Sequence, residues 1–498
     1  MSTVQHKSRA GANTAYATET KTENAESGGC IYMALPRPIG KQLEVVCLPA
    51  NGQHVVLGTA GSGKTTMAVA RARYLTNNLL PDAGRTLIVT YNKALMNYIK
   101  SFGGEIPKNV DVRNYHLFAR GYLKSCGKLP DGCIAIPRQR EQLVEQALND
   151  IKDTYEDHAF FHRPLKFFLD EIQWLNGRNI KSVDHYNEVT RTGRASAQMN
   201  RVLRPIMWEI LERYRELRAK SGKLYDLDDI AAAVSGSLDQ DERPRMYKHV
   251  IIDEGQDLSI EMIRSLTKAI PADGSITFFG DVAQRIYGHG RGMSWREVGF
   301  QTRQVWRFEK NYRNTRNIAN LAVAVSDMPY FLGGQDMIAP IVSAADGPKP
   351  ALVRFVDSDA ERDLVGKWVE THYRTKSVAV LLRTHEKIRE IRPYLPYEAV
   401  QLKEENANWM AGHGAYFGTY HSAKGLEFDL VILPFLSDTE IPNLKDVEPD
   451  EVDEIFAEDG RLLYVGITRA KSSLVLTYTG NVTELLPPDD SLYDRSSR

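Results

Sequence analysis

The densest chemistry in the sequence lies at HVVLGTAGSGKTT, residues 54–66. An apolar run stops at Gly58, small residues follow through Gly61, Ser62 and Gly63, and Lys64, Thr65 and Thr66 open a helix-forming stretch. Glycines let consecutive backbone N–H groups turn toward one anion, and a helix N-terminus adds a partial positive charge. Lys64 is then placed to reach the terminal phosphates of a nucleotide, and Thr65 to offer its hydroxyl to magnesium. A second run, HVIIDEGQD (249–257), ends an apolar segment on two adjacent acids. Asp253 fits a carboxylate that holds the metal, and Glu254 a base that orients an attacking water. Adjacent acids at a strand end often only cap the next helix. The phosphate loop upstream is what favours the catalytic assignment.

Loops of this kind have to be held by strands. Besides the two runs above, apolar segments recur at TLIVTY (86–91), SITFFGD (275–281), ALVRF (351–355), SVAVLLRT (377–384), DLVILPF (429–435) and SSLVLTY (472–478). They alternate with helical stretches, the pattern of a parallel α/β architecture. Several are apolar nearly throughout, as strands covered on both faces must be. Between about 119 and 224 the pattern turns helical, and Ile206, Ile210, Tyr214 and Leu217 share one helical face. Strands on either side of a helical block point to an insertion within the first α/β unit.

With 498 residues the chain has room for roughly three compact units. A hydrophobic content of 42% and a charged content of 26% exclude wholesale disorder. No apolar run approaches the roughly 20 residues of a membrane span, so a cytoplasmic protein without a membrane partner is expected. The four cysteines have neither metal nor redox spacing, which fits thiols in a reducing compartment. A flexible tail is expected at residues 1–34. Its first thirty residues hold eight Ser or Thr but no Leu, Ile or Phe, and lack the apolar centre of a signal peptide. The net charge of −1 gives no bulk argument for a polyanionic partner, so any basic surface must be local. Residues 178–223 carry eleven Lys or Arg against five acids, and residues 285–316 eight against two. In the opposite sense, residues 438–459 carry ten acids and one Lys.

Further segments, taken in order from about residue 35 to 471, resemble superfamily 1 helicases of the UvrD/Rep/PcrA kind. Gln42, 16 residues before Gly58, stands where that family has an adenine-reading glutamine. TYNKAL (90–95), with Thr90, Tyr91 and Asn92, resembles a strand-end loop that touches single-stranded DNA. NYHLFARGYL (114–123) resembles the next DNA-contacting segment through His116, and YDLDDI (225–230) the acidic stretch that re-enters the first core domain. In FFGDVAQRIYG (278–288) the resemblance makes Gln284 a γ-phosphate sensor and Tyr287 a base-stacking residue, with His289 where a second aromatic is common. In FEKNYRNTRNI (308–318) it puts Tyr312 on adenine and Arg313 at the γ-phosphate. In YFGTYHSAKGLEFDLVIL (416–433) it puts His421 near DNA and Glu427 on the ribose, and in RLLYVGITRAK (461–471) it makes Arg469 a second γ-phosphate arginine.

The resemblance implies an α/β chain of two RecA-like parallel-sheet P-loop domains. The first comprises 35–118 and 225–300, a helical insertion occupies 119–224, and the second domain spans 301–498. It implies ATP and Mg²⁺ as cofactors, single-stranded or partly duplex DNA as partner, and movement from 3′ to 5′. With Lys64 and Glu254 on one domain and Arg313 and Arg469 on the other, the transition state assembles only on closure. An arginine finger is worth about 10³–10⁵ in rate.

Arg313 to Thr419 spans only 106 residues and contains two strand candidates, so a large second insertion is absent or rudimentary. The basic stretch 187–201 is a candidate DNA-facing surface, and 438–459 a candidate contact for a protein partner. The competing expectation is a DNA-stimulated ATPase, acting as a remodelling or defence-type subunit that gates a partner effector without unwinding alone.

Overall fold

The computed structural model describes residues 37–498 except 60, 92, 101–105, 156–157, 192–198, 282–294, 302–303, 312, 332–344, 403–412, 445–446 and 448–451, and leaves out the side chains of 331 and 454. The expected tail and the candidate residues Asn92, Gln284, Tyr287, His289 and Tyr312 lie outside the described residues.

The described strands form two parallel sheets. The first contains β1 (Gly52–Gly58), β2 (Thr86–Thr90), β3 (Val110–Asn114), β4 (His249–Ile252), β5 (Ser275–Gly280) and β6 (Val305–Phe308), in the order β3-β2-β4-β5-β1-β6. The second contains β7 (Ala351–Phe355), β8 (Ser377–Leu382), β9 (Val400–Gln401), β10 (Gly414–Thr419), β11 (Phe428–Leu433), β12 (Ala470–Thr479) and β13 (Asp494–Ser497), in the order β13-β7-β12-β11-β8-β10-β9. The near-continuous apolar runs have the expected cause. Strand side chains alternate between faces, so Val55, Leu57, Val250 and Ile252 enter one core while Val56 and Ile251 enter another across the sheet. The second sheet repeats this, with Leu381 and Val431 on one side and Val380 and Ile432 on the other.

Between β3 and β4 the chain forms helices, among them Pro137–Lys152, Leu165–Arg178 and Arg204–Lys220, around a separate core. Ile206, Ile210, Tyr214 and Leu217 all face that core. One strand departs from the sequence-based division. β6 comes from residues expected to open the second domain, yet it runs parallel to β1 at the edge of the first sheet. Its burial is partial, as an edge position allows. The connection between the sheets therefore starts beside the phosphate-loop strand.

Candidate functional site

Loops leaving the carboxyl ends of β1, β4 and β5 converge, as ligand-binding loops of parallel sheets do. β1 ends at Gly58. Gly61 and Gly63 then take left-handed φ values of 77° and 84°, which turn the chain into the helix Lys64–Leu75. Lys64 is buried; its Nζ donates to the carbonyls of Gly58 (2.8 Å) and Thr59 (2.9 Å) and lies 3.5 Å from Asp281. Gln42 is buried beside the loop, donating from Nε2 to the Ser62 carbonyl at 3.0 Å and accepting the Ile39 N–H at 3.0 Å. Thr65 and Thr66 are half-buried in the first helical turn.

At the end of β4, Asp253 is fully buried. Its Oδ1 accepts the Glu254 N–H at 3.1 Å, and its Oδ2 has no hydrogen-bond partner. Burial, with Glu254 adding repulsion, pushes Asp253 up to about 7 against the opposing Thr65 hydroxyl and Lys64. Glu254 has a left-handed φ of 54°, an uncommon conformation for a residue with a Cβ. Its carboxylate accepts the Gln256 amide at 2.5 Å. Burial works against its charge, yet Lys64, Lys424, Gln256 and Arg469 together hold Glu254 below the usual carboxylate range.

The connection after β6 and the loops of the second sheet supply the opposite wall. A Cβ on Gly61 would fall 2.2 Å from Asn311 Oδ1, so the chain just after β6 lies directly on the phosphate loop. Thr59 donates its N–H to the Phe308 carbonyl at 3.0 Å. Asn311 Oδ1 accepts the Arg313 N–H at 2.9 Å, while Arg313 pairs with Glu427. Arg469 is buried, its guanidinium donating to the carbonyls of Val465 (3.0 Å) and Leu426 (3.2 Å). Burial pulls it down to about 10; Arg313 adds to the shift, and Glu254, Glu427 and Asp281 oppose it. Lys64, Glu254, Arg313, Glu427 and Arg469 thus surround one cleft. Lys424 and Asp257, which sequence reasoning did not select, form a buried ion pair across it. Their motifs were visible, but a pairing between residues 167 positions apart was not.

The described DNA-side candidates are partly brought together. Thr90 is buried at the end of β2, and half-buried Tyr91 meets His116 edge-on at 6.4 Å between ring centroids. Burial, with Arg120 nearby, lowers His116 to about 4. His421 belongs instead to a groove of about 1270 Å³ between the second sheet and Ala94, whose wall includes Arg389, Arg392, Tyr397 and Phe417. Burial and Arg383 lower His421 to about 4 as well.

Some charges of the two charge runs have partners within the chain. In the basic stretch, Arg191 pairs with the buried Glu171, and Arg204 donates to the carbonyls of Asn187 (3.1 Å) and Val189 (3.0 Å), so these cations hold the insertion together. In the acidic stretch, Glu440 pairs with Lys387, Glu458 with Lys166 and Arg383, and Asp459 with Arg383. The charges of these three acids are met inside the chain. Among the described residues no group of His, Cys, Asp and Glu forms a metal cluster, and no helix is long and apolar enough to cross a membrane.

Comparison with known proteins places this cleft in a wider group. Residues 40–294 match the UvrD/REP helicase N-terminal domain, and residues 416–481 match the UvrD-like helicase C-terminal domain. The chain is 30% identical over 183 residues to a probable DNA helicase II homolog of Rickettsia felis, covering 34% of this chain and 28% of that protein. It is 26% identical over 294 residues to the ATP-dependent DNA helicase srs2 of Schizosaccharomyces pombe, covering 54% and 32% respectively. A probable DNA helicase of Mycoplasma pneumoniae is 22% identical over 453 residues, covering 86% of this chain and 80% of that protein. The first two matches thus span about a third or less of those relatives' length. The N-terminal match alone takes in more than half of the chain and contains both the phosphate loop and the DEGQD turn, so the chain belongs to the UvrD/REP helicase family.

Proposed function

We propose that the protein is an ATP-dependent DNA helicase or translocase that couples ATP hydrolysis to movement on single-stranded DNA from 3′ to 5′. The observation that carries this reading is the meeting of three sets of residues: Lys64 and Glu254 from the first sheet, Arg313 from the connection that follows β6, and Arg469 from the second sheet. Hydrolysis needs positive charge where negative charge develops, and here that charge arrives from the opposite wall. In this proposal Gln42 reads adenine, Gly58 to Gly63 wrap the phosphates, Lys64 and the two arginines bind the terminal phosphate, and Glu254 orients the water. Thr65 and Asp253 would hold magnesium, which neutralises phosphate charge when bound; the buried Asp253 Oδ2 without a partner fits a ligand awaiting its cation.

The groove beside His421 is the proposed strand path. Arg389 offers a phosphate contact, and Tyr397, 91% exposed, offers a stacking face worth about 1–3 kcal/mol per base without sequence preference. Residues 35–118 with 225–300, 119–224 and 301–498 are proposed as first core, insertion and second core, with β6 as the shared strand.

ATP turnover titrated with single-stranded DNA, duplex DNA and single-stranded RNA tests the reading, alongside strand displacement on 3′-tailed and 5′-tailed duplexes. Turnover stimulated by single-stranded DNA, with displacement from 3′ tails, is expected. Turnover indifferent to all three polymers overturns it.

A further inference from the structure

Lys424 and Asp257 are 0% and 1% exposed, and their ion pair joins the turn after β10 to the turn after β4. Two charges taken this far from water stabilise a structure only when they hold each other. The bond therefore exists only while the two walls are together.

What Asp257 is attached to gives the pair its meaning. Its N–H donates to the Glu254 carbonyl at 3.1 Å, closing the one-turn segment Gly255–Asp257. Within that turn Gln256 donates to the Glu254 carboxylate and accepts the Asp281 N–H at 2.9 Å. Glu254 itself sits at a left-handed φ, a conformation that persists where surrounding contacts impose it. Asp257 is thus one end of a small rigid unit whose other end is the water-orienting carboxylate.

Lys424 is attached on the other side to the groove. Its N–H donates to the His421 carbonyl at 3.3 Å, and His421 and Ser422 line the proposed strand path. The next residue, Gly425, has a φ of 82°, and a Cβ there would lie 2.9 Å from Leu95 in the helix that follows Tyr91. The 419–425 turn is therefore wedged between the groove, the helix behind the β2 loop and the DEGQD turn.

We propose that Lys424 is a positioning residue for hydrolysis: by gripping Asp257 when the walls close around a strand, it sets the geometry of Glu254. The inference rests on the DNA-coupled reading above and adds the route from groove to base. It makes Lys424 the link that turns occupancy of the groove into turnover, without touching nucleotide or strand.

The test uses the full chain, with Lys424→Met, Lys424→Arg, Asp257→Asn and the Lys424→Met/Asp257→Asn double variant, which leaves no unpaired buried charge. Turnover at saturating oligo-dT should fall at least about 10-fold in Lys424→Met and in Asp257→Asn, while affinity for a fluorescent ATP analogue changes less than about 3-fold. Lys424→Arg should recover most of the loss. The double variant should be no worse than the poorer single one, because both remove the same link. Turnover in Lys424→Met within about 2-fold of wild type, or losses that multiply in the double variant, overturn the inference alone. Absence of oligo-dT stimulation in the wild-type chain overturns it together with the functional reading.

Discussion

Asp226 and Asp253 are both fully buried carboxylates, set in the acidic runs YDLDDI and HVIIDEGQD. Their surroundings differ. Asp226 accepts the Tyr214 hydroxyl at 2.6 Å and the N–H groups of Asp228 (2.8 Å) and Asp229 (2.9 Å), and pairs with Arg218 at 3.1 Å. Asp253 accepts one backbone N–H and leaves Oδ2 without a partner. Burial would raise both, but Arg218, Arg140 and Tyr214 hold Asp226 below the carboxylate range, whereas Asp253 is pushed up to about 7. A saturated shell marks an anchor, here tying the helical insertion to the first core. The unpartnered Oδ2 of Asp253 agrees with the proposal that a cation completes its shell.

The sharpest separation of the two regions comes from the cleft. Lys64→Ala removes the cation proposed to meet the terminal phosphate, and ATP turnover per folded molecule should fall by about 10³ or more, beyond any stability lost with its 3.5 Å contact to Asp281. Loss of fold rather than of turnover would place Lys64 with the anchors. Asp226→Asn should do the reverse. Stripping one partner from a buried ion network costs about 3 kcal/mol, read by urea denaturation, with turnover per folded molecule unchanged.

The pH dependence of the two acids has opposite sign. Folded metal-free Asp253 keeps its proton to about pH 7, whereas an unfolded one loses it near about pH 4, so this group costs stability as pH rises through that window. Asp253→Asn should therefore stabilise the metal-free protein at pH 8 and change its stability by almost nothing at pH 4. Asp226 contributes stability above the ordinary carboxylate range and loses it as pH falls below about 4. Equal melting of Asp253→Asn and wild type at both pH values would erase the contrast. The smallest effect belongs to Ser62, whose buried Oγ also has no partner. Ser62→Ala should stabilise the nucleotide-free protein by about 0.5–1 kcal/mol while weakening ATP binding by a similar amount, measured by calorimetry.

Legibility in the sequence followed the range of the interactions. The phosphate loop was legible because a strand, a glycine turn and a helix start are local, and the fully covered strands β4, β5 and β8 announced themselves by unbroken apolar runs. β3 was not, because its pattern alternates between buried and half-buried positions and its last residue caps the following helix. β13 is exposed along its whole length, and its strand character comes from pairing with β7, which no local pattern records. In the site, residue types fixed the candidates on each wall. The Lys424–Asp257 pair and the seat of Asn311 on Gly61 exist only where distant segments meet. The charge runs are illegible for the same reason: counting arginines does not say that Arg191 reaches Glu171 in the helix Leu165–Arg178, or that Arg204 reaches the carbonyls of Asn187 and Val189.

The lodging of β6 beside β1 has a mechanical consequence. If the proposed closure pivots on this connection, its bond to the phosphate loop at Thr59 would put the fulcrum at the nucleotide and the load at the groove of the second sheet. In the proposed cycle, gaining or losing a terminal phosphate would act on the chain where it leaves the first sheet.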